Sequence, residues 1–201
     1  MDIRQKFIFF LLLSLCYTQP EKLISTTNNA HPLLAQQITK WISSLENNDK
    51  NSYNNLVKIG QVSQPYLYAA LHEKINYTAK KSVIQIIEKL NLPSENVLLK
   101  CIQNDKIHIR VREQVIISLA KIGTKNSLPL LIKIAFDRNN LLYRRAATTI
   151  NKIAEVEYLV QLLQHWERDI TKTAHKNLLR KTKQKYPANY NTWKKWWKNN
   201  E

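Results

Sequence analysis

Residues 111–132 have the sequence VREQVIISLAKIGTKNSLPLLI, in which apolar side chains recur at the spacing of two short helices separated by a turn. The first helix carries Val111, Val115 and Leu119 on one face, and Gly123 marks the turn that follows it. This arrangement predicts a helical hairpin with one apolar face. Such a hairpin cannot bury that face alone, so it needs neighbours of the same kind.

The same pattern recurs along the chain about every 28 to 32 residues. The places of Val111, Val115 and Leu119 are again apolar in three other units: Ala79, Val83 and Ile87; Leu142, Ala146 and Ile150; Ile170, Ala174 and Leu178. Recurrence at this period is typical of stacked helical repeats. The sequence therefore predicts an all-α fold, an α-solenoid of about four to five helical hairpins.

Several classes of enzyme site are absent from the sequence. Gly60 and Gly123 are its two glycines, whereas loops that bind phosphate need several, so a P-loop or dinucleotide-binding loop is excluded. The five histidines show no metal-ligand spacing, and neither a nucleophile elbow nor a paired-carboxylate motif occurs. We therefore predict no catalytic residue, no metal and no cofactor.

The unit at 111–132 resembles a HEAT repeat. Val111 and Arg112 form the pair that opens the inner helix in that family, Gly123 lies at the turn, and Pro129 comes early in the next outer helix. The resemblance extends over about residues 52–182. It implies inner helices that line a concave face, and a role in binding, since this fold serves many functions.

The N-terminus has a different character. Arg4 and Lys6 precede an apolar run over residues 7–15, which is too short to span a bilayer but has the length of a signal-peptide core. We assign residues 1–35 to a signal peptide or membrane anchor with a linker. The protein is then expected to be exported, whether periplasmic, secreted or membrane-anchored.

How this segment is processed stays open. Cleavage beside Ala35 or Ala30 gives a free protein, an uncleaved segment gives an anchored one, and Cys16 is a candidate for lipidation as in bacterial lipoproteins. Leu15 departs from the lipoprotein pattern, which has a small residue there. If the segment is not a signal, the chain is cytoplasmic.

Two further domains follow, a repeat domain over residues 36–185 and a basic, tryptophan-rich cap over residues 186–201. Trp193, Trp196 and Trp197 share one face of a short helix, at positions i, i+3 and i+4. The sequence favours a helix that covers the exposed apolar face of the last repeat. The alternative is an aromatic surface that binds a membrane, bases or sugars.

The chain is strongly basic, with 31 Lys and Arg against 15 Asp and Glu and a net charge of +16. The excess is greatest over residues 164–201. Such a surface attracts anionic partners, for which we consider an unidentified protein, an anionic envelope component or a membrane surface. Nucleic acid is not expected for an exported chain. A compositional bias toward Asn and Lys is the alternative explanation.

Basic residues at related places on the inner helices are the sharpest candidates for a binding surface: Arg110, Arg112, Arg144, Arg145 and Lys80. The guanidinium group suits phosphate and carboxylate ligands. The alternative is that the arginine at the place of Arg112 is structural, as it often is in proteins of the HEAT family. Glu113 and Asp137 are then its plausible partners.

The favoured function is a non-catalytic, exported or membrane-tethered HEAT-repeat scaffold that mediates protein–protein or anionic-ligand binding. Two alternatives rest on resemblance at the level of the repeat. Bilin lyases and phycobilisome-associated factors use HEAT-like repeats, and some DNA glycosylases are small basic HEAT-like solenoids. The predicted export signal argues against the second of these, a nucleic-acid-binding protein.

Overall fold

The computed structural model describes residues 32–123 and 125–200, which form α-helices joined by short turns and loops, with no β-strand among them. The helices are α1 (Pro32–Ser44), α2 (Lys50–Ile59), α3 (Gln64–Ala70), α4 (Tyr77–Lys89), α5 (Glu95–Gln103), α6 (Ile109–Ile122), α7 (Leu128–Ala135), α8 (Tyr143–Ile153), α9 (Val156–Leu162), α10 (Arg168–Thr182) and α11 (Tyr190–Lys198). Three 3₁₀ turns, Leu45–Asn47, Gly60–Ser63 and Lys125–Ser127, complete the turns beside α1, α3 and α7.

The helices form two layers. The even-numbered helices α2, α4, α6, α8 and α10 contact one another in sequence and make up the inner layer. Helices α3, α5, α7 and α9 each contact the inner helix that follows, and α1 contacts α2, so these five form the outer layer. The described residues therefore contain five stacked hairpins, and the predicted all-α solenoid is confirmed.

The core of the solenoid is built from the repeated apolar positions. The predicted places on α4, α6, α8 and α10 are buried: Ala79, Val83, Ile87, Val111, Val115, Leu119, Leu142, Ala146, Ile150, Ile170, Ala174 and Leu178. They belong to one continuous cluster with the buried leucines and isoleucines of the outer layer. Each large aliphatic side chain buried there contributes about 1.5–3 kcal/mol, so stacking stabilises hairpins that are too small to fold alone.

Side-chain caps fix where several helices begin. Asn76 accepts a hydrogen bond from the backbone N–H of Ala79 (2.9 Å) at the start of α4. The sequence favours Ser52 as the cap of α2, which is wrong. Asp49 is the cap and accepts from the N–H groups of Asn51 and Ser52, because a carboxylate placed just before the helix satisfies two free donors.

Two inner helices begin later than the sequence pattern predicts. The residue pattern predicts that α6 begins at Lys106 and α8 at Asn139 or Asn140, whereas they begin at Ile109 and Tyr143. In both places an asparagine side chain, that of Asn104 or Asn140, accepts from the backbone N–H two residues further on (3.0 Å in each case). This local turn competes with the helix and delays its start.

Residues 1–31 of the predicted signal peptide or anchor with its linker, including Cys16 and Ala30, lie outside the described residues. Residues 32–35, with the candidate cleavage residue Ala35, form the start of α1. Across residues 32–123 and 125–200, no helix is long and apolar enough to cross a membrane.

Candidate binding surface

An open groove of about 540 Å³ runs between α8 and α10, two neighbouring helices of the inner layer. We call it the α8–α10 groove. The side chains that line it are mostly polar or charged: Arg144, Thr148, Asn151, Lys152, Glu167, Asp169, Ile170, Thr173, Asn177 and Arg180. The sequence builds it by placing short polar residues on the facing sides of the two helices, which leaves space between their backbones.

An asparagine pair lies in the α8–α10 groove. The side-chain amide of Asn177 on α10 donates to the backbone carbonyl of Asn151 on α8 (2.7 Å), which ties the two helices together. Asn151 itself is 6% exposed, and its Oδ1 accepts no hydrogen bond within the described structure. A buried acceptor without a partner is costly, so this oxygen favours a ligand that supplies an N–H or O–H donor.

The acidic side of the α8–α10 groove is held by Glu167. Its carboxylate accepts from the Tyr143 hydroxyl (2.5 Å) and from Arg144 Nη2 (2.8 Å). The hydroxyl, and after it the guanidinium, hold the pKa of this carboxyl below its ordinary value, so Glu167 is charged. Arg144 and Glu167 thus neutralise each other at one edge.

The remaining cations of the α8–α10 groove have no carboxylate partner in the described part of the chain. Lys152 makes no ion pair there, and Arg180 reaches only the side-chain oxygen of Asn177 at 3.5 Å. Both side chains are exposed. The groove therefore offers two free cations against one carboxylate without an ion pair in that part of the chain, that of Asp169, beside an unpaired acceptor. The remaining positive charge and the acceptor suit a negatively charged ligand with backbone-type donors.

A second groove of about 470 Å³ lies further along the same inner layer. It is lined by Tyr53, Gln85, Glu88, Lys89, Gln114 and Lys121 of α2, α4 and α6. In this groove Glu88 forms an ion pair with Lys121 (2.7 Å) and accepts a hydrogen bond from the Ser118 hydroxyl. Because that carboxylate is already satisfied, this groove shows no unpaired buried acceptor comparable with Asn151.

Two of the predicted basic residues are bound into the scaffold. Lys80 is buried, and its Nζ donates to the backbone carbonyl of Leu71 at the end of α3 (2.8 Å). Arg112 does the same one repeat later, with its Nε donating to the carbonyl of Ile102 near the end of α5 (2.8 Å). Its Nη1 also pairs with Asp105 (2.7 Å), whereas the sequence suggests Glu113 or Asp137.

The other three predicted arginines lie on the surface but do not form one ladder. Arg145 pairs with Glu113 of the preceding inner helix (2.8 Å), and Arg144 pairs with Glu167. Arg110 is exposed and makes no ion pair with any residue in the ranges described. Of the five basic candidates, Arg144 alone lines the α8–α10 groove.

Comparison with known families agrees with this architecture. The family model of HEAT repeats matches residues 65–151, which run from α3 to α8. Over this stretch the chain consists of HEAT repeats. As such it is a helical scaffold of a kind typical of protein interactions. No curated protein gives a significant match to it.

Lys80 and Arg112 each donate a hydrogen bond to a carbonyl at the end of the preceding outer helix, and in one HEAT repeat a different residue makes this bond. Tyr143 occupies their place on α8, and the carbonyl at the end of α7, that of Ala135, accepts instead from His165 Nε2 (3.0 Å). His165 is buried and stacks on Trp166, with ring centroids 4.0 Å apart. Its Nδ1 accepts from the backbone N–H of Glu167 (3.0 Å), so the ring is held as the neutral tautomer with the proton on Nε2.

Burial of the HEAT-repeat histidine His165 predicts a pH-dependent stability. Burial, followed by the charge of Arg138, lowers the pKa of His165, although the Ala135 carbonyl and Glu167 oppose this. Because the folded state disfavours the charged ring, its stabilising contribution is complete above the ordinary pKa of about 6.5 and is lost as pH falls below it.

We therefore expect a lower free energy of unfolding at pH 5.5 than at pH 7.5, measured by urea denaturation. Glu167 titrates in a lower window, because its own pKa is held below the ordinary value. His165→Gln is expected to remove most of the difference, whereas His72→Gln, at an exposed histidine, is expected to retain it. Equal pH dependence in both variants would contradict the assignment to His165.

Cys101 has a histidine neighbour that sequence reasoning missed. Its Sγ lies 4.0 Å from Nε2 of His72, one HEAT repeat earlier. The thiol is nevertheless fully buried, and burial raises the pKa of Cys101 to about 11. A thiol with such a pKa stays protonated at neutral pH and is a poor nucleophile.

The tryptophans of the last helix close the solenoid. Trp193 is fully buried, and its Nε1 donates to the backbone carbonyl of Pro187 (2.9 Å). Trp196 packs against the core, and Trp197 beside it is half-buried. Helix α11 lies on α9, so the predicted tryptophan-rich capping helix is confirmed.

The residues of the α8–α10 groove were not candidates from the sequence, Arg144 apart. Asn151 and Asn177 lie 26 positions apart, which is close to the length of one HEAT repeat. This spacing is the one feature of the sequence that could have placed them on neighbouring inner helices. Apart from the undescribed residues, no three His, Cys, Asp or Glu side chains lie close enough to hold a metal ion.

Proposed function

We propose that this HEAT-repeat protein is a non-catalytic scaffold, exported or membrane-tethered, that binds an acidic segment of a partner protein in the α8–α10 groove. The observation that carries the proposal is Asn151, which lines the groove and whose buried Oδ1 accepts no hydrogen bond from any described residue. A polypeptide backbone supplies N–H donors along its length.

The charge of the groove supports an acidic segment. Lys152 and Arg180 have no carboxylate partner among the described residues, while Arg144 is already paired with Glu167. Carboxylates of a partner would form ion pairs with these two free cations. Charge-assisted hydrogen bonds of this kind are stronger than neutral ones. The export part of the proposal rests on the apolar run at residues 7–15 and its preceding basic residues.

A double charge reversal tests the groove. We expect Lys152→Glu with Arg180→Glu to weaken binding of a fluorescently labelled peptide of alternating Asp and Ser by about tenfold or more, as measured by anisotropy. Both residues are exposed, so the variant is expected to keep its helicity and thermal midpoint. A labelled peptide of alternating Lys and Ser gives the opposite charge as a comparison.

The matched control reverses two exposed lysines of the outer layer, Lys100→Glu with Lys133→Glu, and makes the same change in net charge. This variant is expected to bind the acidic peptide within about twofold of the parent protein. If both variants lose affinity equally, the peptide is attracted by net charge alone and the groove is not its site.

Crosslinking in the native cell identifies the partner. A photoreactive amino acid at Thr148, in the groove, is expected to capture a protein that the same group at Lys133 does not. The Arg180→Glu exchange in the same chain is expected to suppress that adduct. Identical adducts from Thr148 and Lys133 would exclude a groove-specific partner.

A further inference from the structure

The C-terminal end of the solenoid carries a large excess of positive charge. From residue 170 to residue 201 the chain has nine Lys or Arg and one acidic residue, Glu201, so half of the net charge of +16 comes from this end. All nine side chains are exposed. We call these nine residues the C-terminal basic surface.

The helices direct these cations outward. On α10, Lys172, Lys176 and Arg180 follow one another at intervals of four residues, on a different face from the buried Ala174. On α11, three lysines share the face opposite the buried Trp193: Lys194, Lys195 and Lys198. Lys181, Lys183 and Lys185 lie at the end of α10 and in the segment after it.

None of the nine cations is neutralised by a carboxylate within the described residues. The ion pairs found there use cations that come before residue 150: Arg112, Lys121, Lys125, Arg144 and Arg145. Lys194 lies over the ring of Tyr190, with Nζ 5.2 Å from the centroid, which leaves its charge in place. Clustered like charges repel one another, so an anionic surface that covers them is stabilising.

We propose that the C-terminal basic surface docks the protein on a lipid bilayer containing anionic headgroups. Eight of the nine cations are lysines, which act as point charges and attract a diffuse negative surface, unlike the planar fork of arginine that suits defined phosphate contacts. The half-buried Trp197 lies next to Lys198 and adds an amphipathic ring suited to the headgroup region.

A nucleic acid fits this surface less well. The cations are distributed over the outward faces of two helices, whereas binding a single strand uses a basic groove with rings open for stacking. Trp193, one of the three tryptophans of α11, is fully buried and hydrogen-bonded to Pro187. The surface shares one residue with the α8–α10 groove, Arg180, and its other eight cations lie outside the groove lining.

The test is sedimentation of the full chain with vesicles at 0.1 M salt. We expect stronger binding to vesicles with 30% phosphatidylglycerol in phosphatidylcholine than to phosphatidylcholine alone. The exchanges Lys172→Gln, Lys176→Gln, Lys195→Gln and Lys198→Gln are expected to lower the partition coefficient on anionic vesicles by about 100-fold. The apolar run at residues 7–15 is expected to bind both vesicle types alike, so the comparison of lipids isolates the effect of charge.

The matched control replaces four exposed lysines elsewhere: Lys58→Gln, Lys100→Gln, Lys106→Gln and Lys133→Gln. It is expected to change the partition coefficient by less than about fivefold. An equal loss in the two variants, or equal binding to neutral and anionic vesicles, would overturn the proposal. So would a C-terminal variant that loses binding to a DNA duplex while its binding to anionic vesicles is unchanged.

The vesicle experiment and the acidic-peptide experiment test the two proposals independently of each other. None of the four C-terminal lysines lines the α8–α10 groove, so the C-terminal variant is expected to bind the acidic peptide like the parent protein. Conversely, Lys152→Glu alone leaves all nine cations of the C-terminal basic surface intact and is expected to bind anionic vesicles like the parent protein. Loss of both binding activities in the four-lysine variant or in Lys152→Glu would show that the two surfaces are one.

Discussion

Replacing Trp193 by alanine is expected to lower the free energy of unfolding by about 3–5 kcal/mol, the largest effect of any single change considered for this chain. Its ring is fully buried and contacts the rings of Tyr186, Trp196 and His175, with centroids 5.4, 5.8 and 6.2 Å away. Truncation leaves a large cavity and removes the donor to the Pro187 carbonyl. Urea denaturation followed by circular dichroism measures the change.

The loss is expected to concentrate at the end of the solenoid. Because each repeat contacts only its neighbours, amides of α9 and α10 should exchange faster with solvent in Trp193→Ala, while those of α4 and α6 keep their protection. Trp197→Ala is the matched control and is expected to lower the free energy of unfolding by about 1 kcal/mol or less, since its ring is partly in solvent. Equal losses in both variants would contradict a capping role for Trp193.

Exchanging Arg112 for glutamate is expected to lower the free energy of unfolding by about 3 kcal/mol. Its guanidinium donates to the backbone carbonyl of Ile102 and pairs with Asp105, and its side chain is 14% exposed. The glutamate leaves that carbonyl without its donor and brings a second carboxylate toward Asp105. The measurement is urea denaturation at neutral pH.

The neighbouring arginine supplies the control. Arg110 is exposed and forms no ion pair in the described structure, so Arg110→Glu is expected to change the free energy of unfolding by about 0.5 kcal/mol or less. Asp105→Ala is also expected to be mild, because the carboxylate is 89% exposed and an exposed pair contributes little. A large effect of Asp105→Ala would show that the ion pair, rather than the Ile102 carbonyl, holds Arg112.

Periodicity was sufficient to predict the fold, because the apolar residues at the place of Val115 are buried in the four repeats where the pattern was found. The spacing of Trp193, Trp196 and Trp197 likewise predicted a helix that covers the last repeat. These features depend on local spacing and on the general need to bury apolar surface, and a single sequence carries both.

The candidate site was predicted less well. Arg110 and Arg112 are two positions apart on α6, so they point to opposite sides of the helix and do not share a face. The α8–α10 groove depends on how two helices one repeat apart face each other. Asn151 is buried because α10 lies against α8, and its own neighbours in sequence give no sign of that contact.

The polar links of the inner layer give the molecule an unequal elasticity. Glu88 joins α4 to α6, the Arg145–Glu113 pair joins α6 to α8, and Asn177 joins α8 to α10. The outer helices α3, α5, α7 and α9 contact their own inner partners far more than one another in the region described. We therefore expect the molecule to bend more easily by separation of the outer helices than by separation of the inner helices. The spacing of successive inner helices is then the less variable of the two, and a partner bound along them meets side chains at nearly constant intervals.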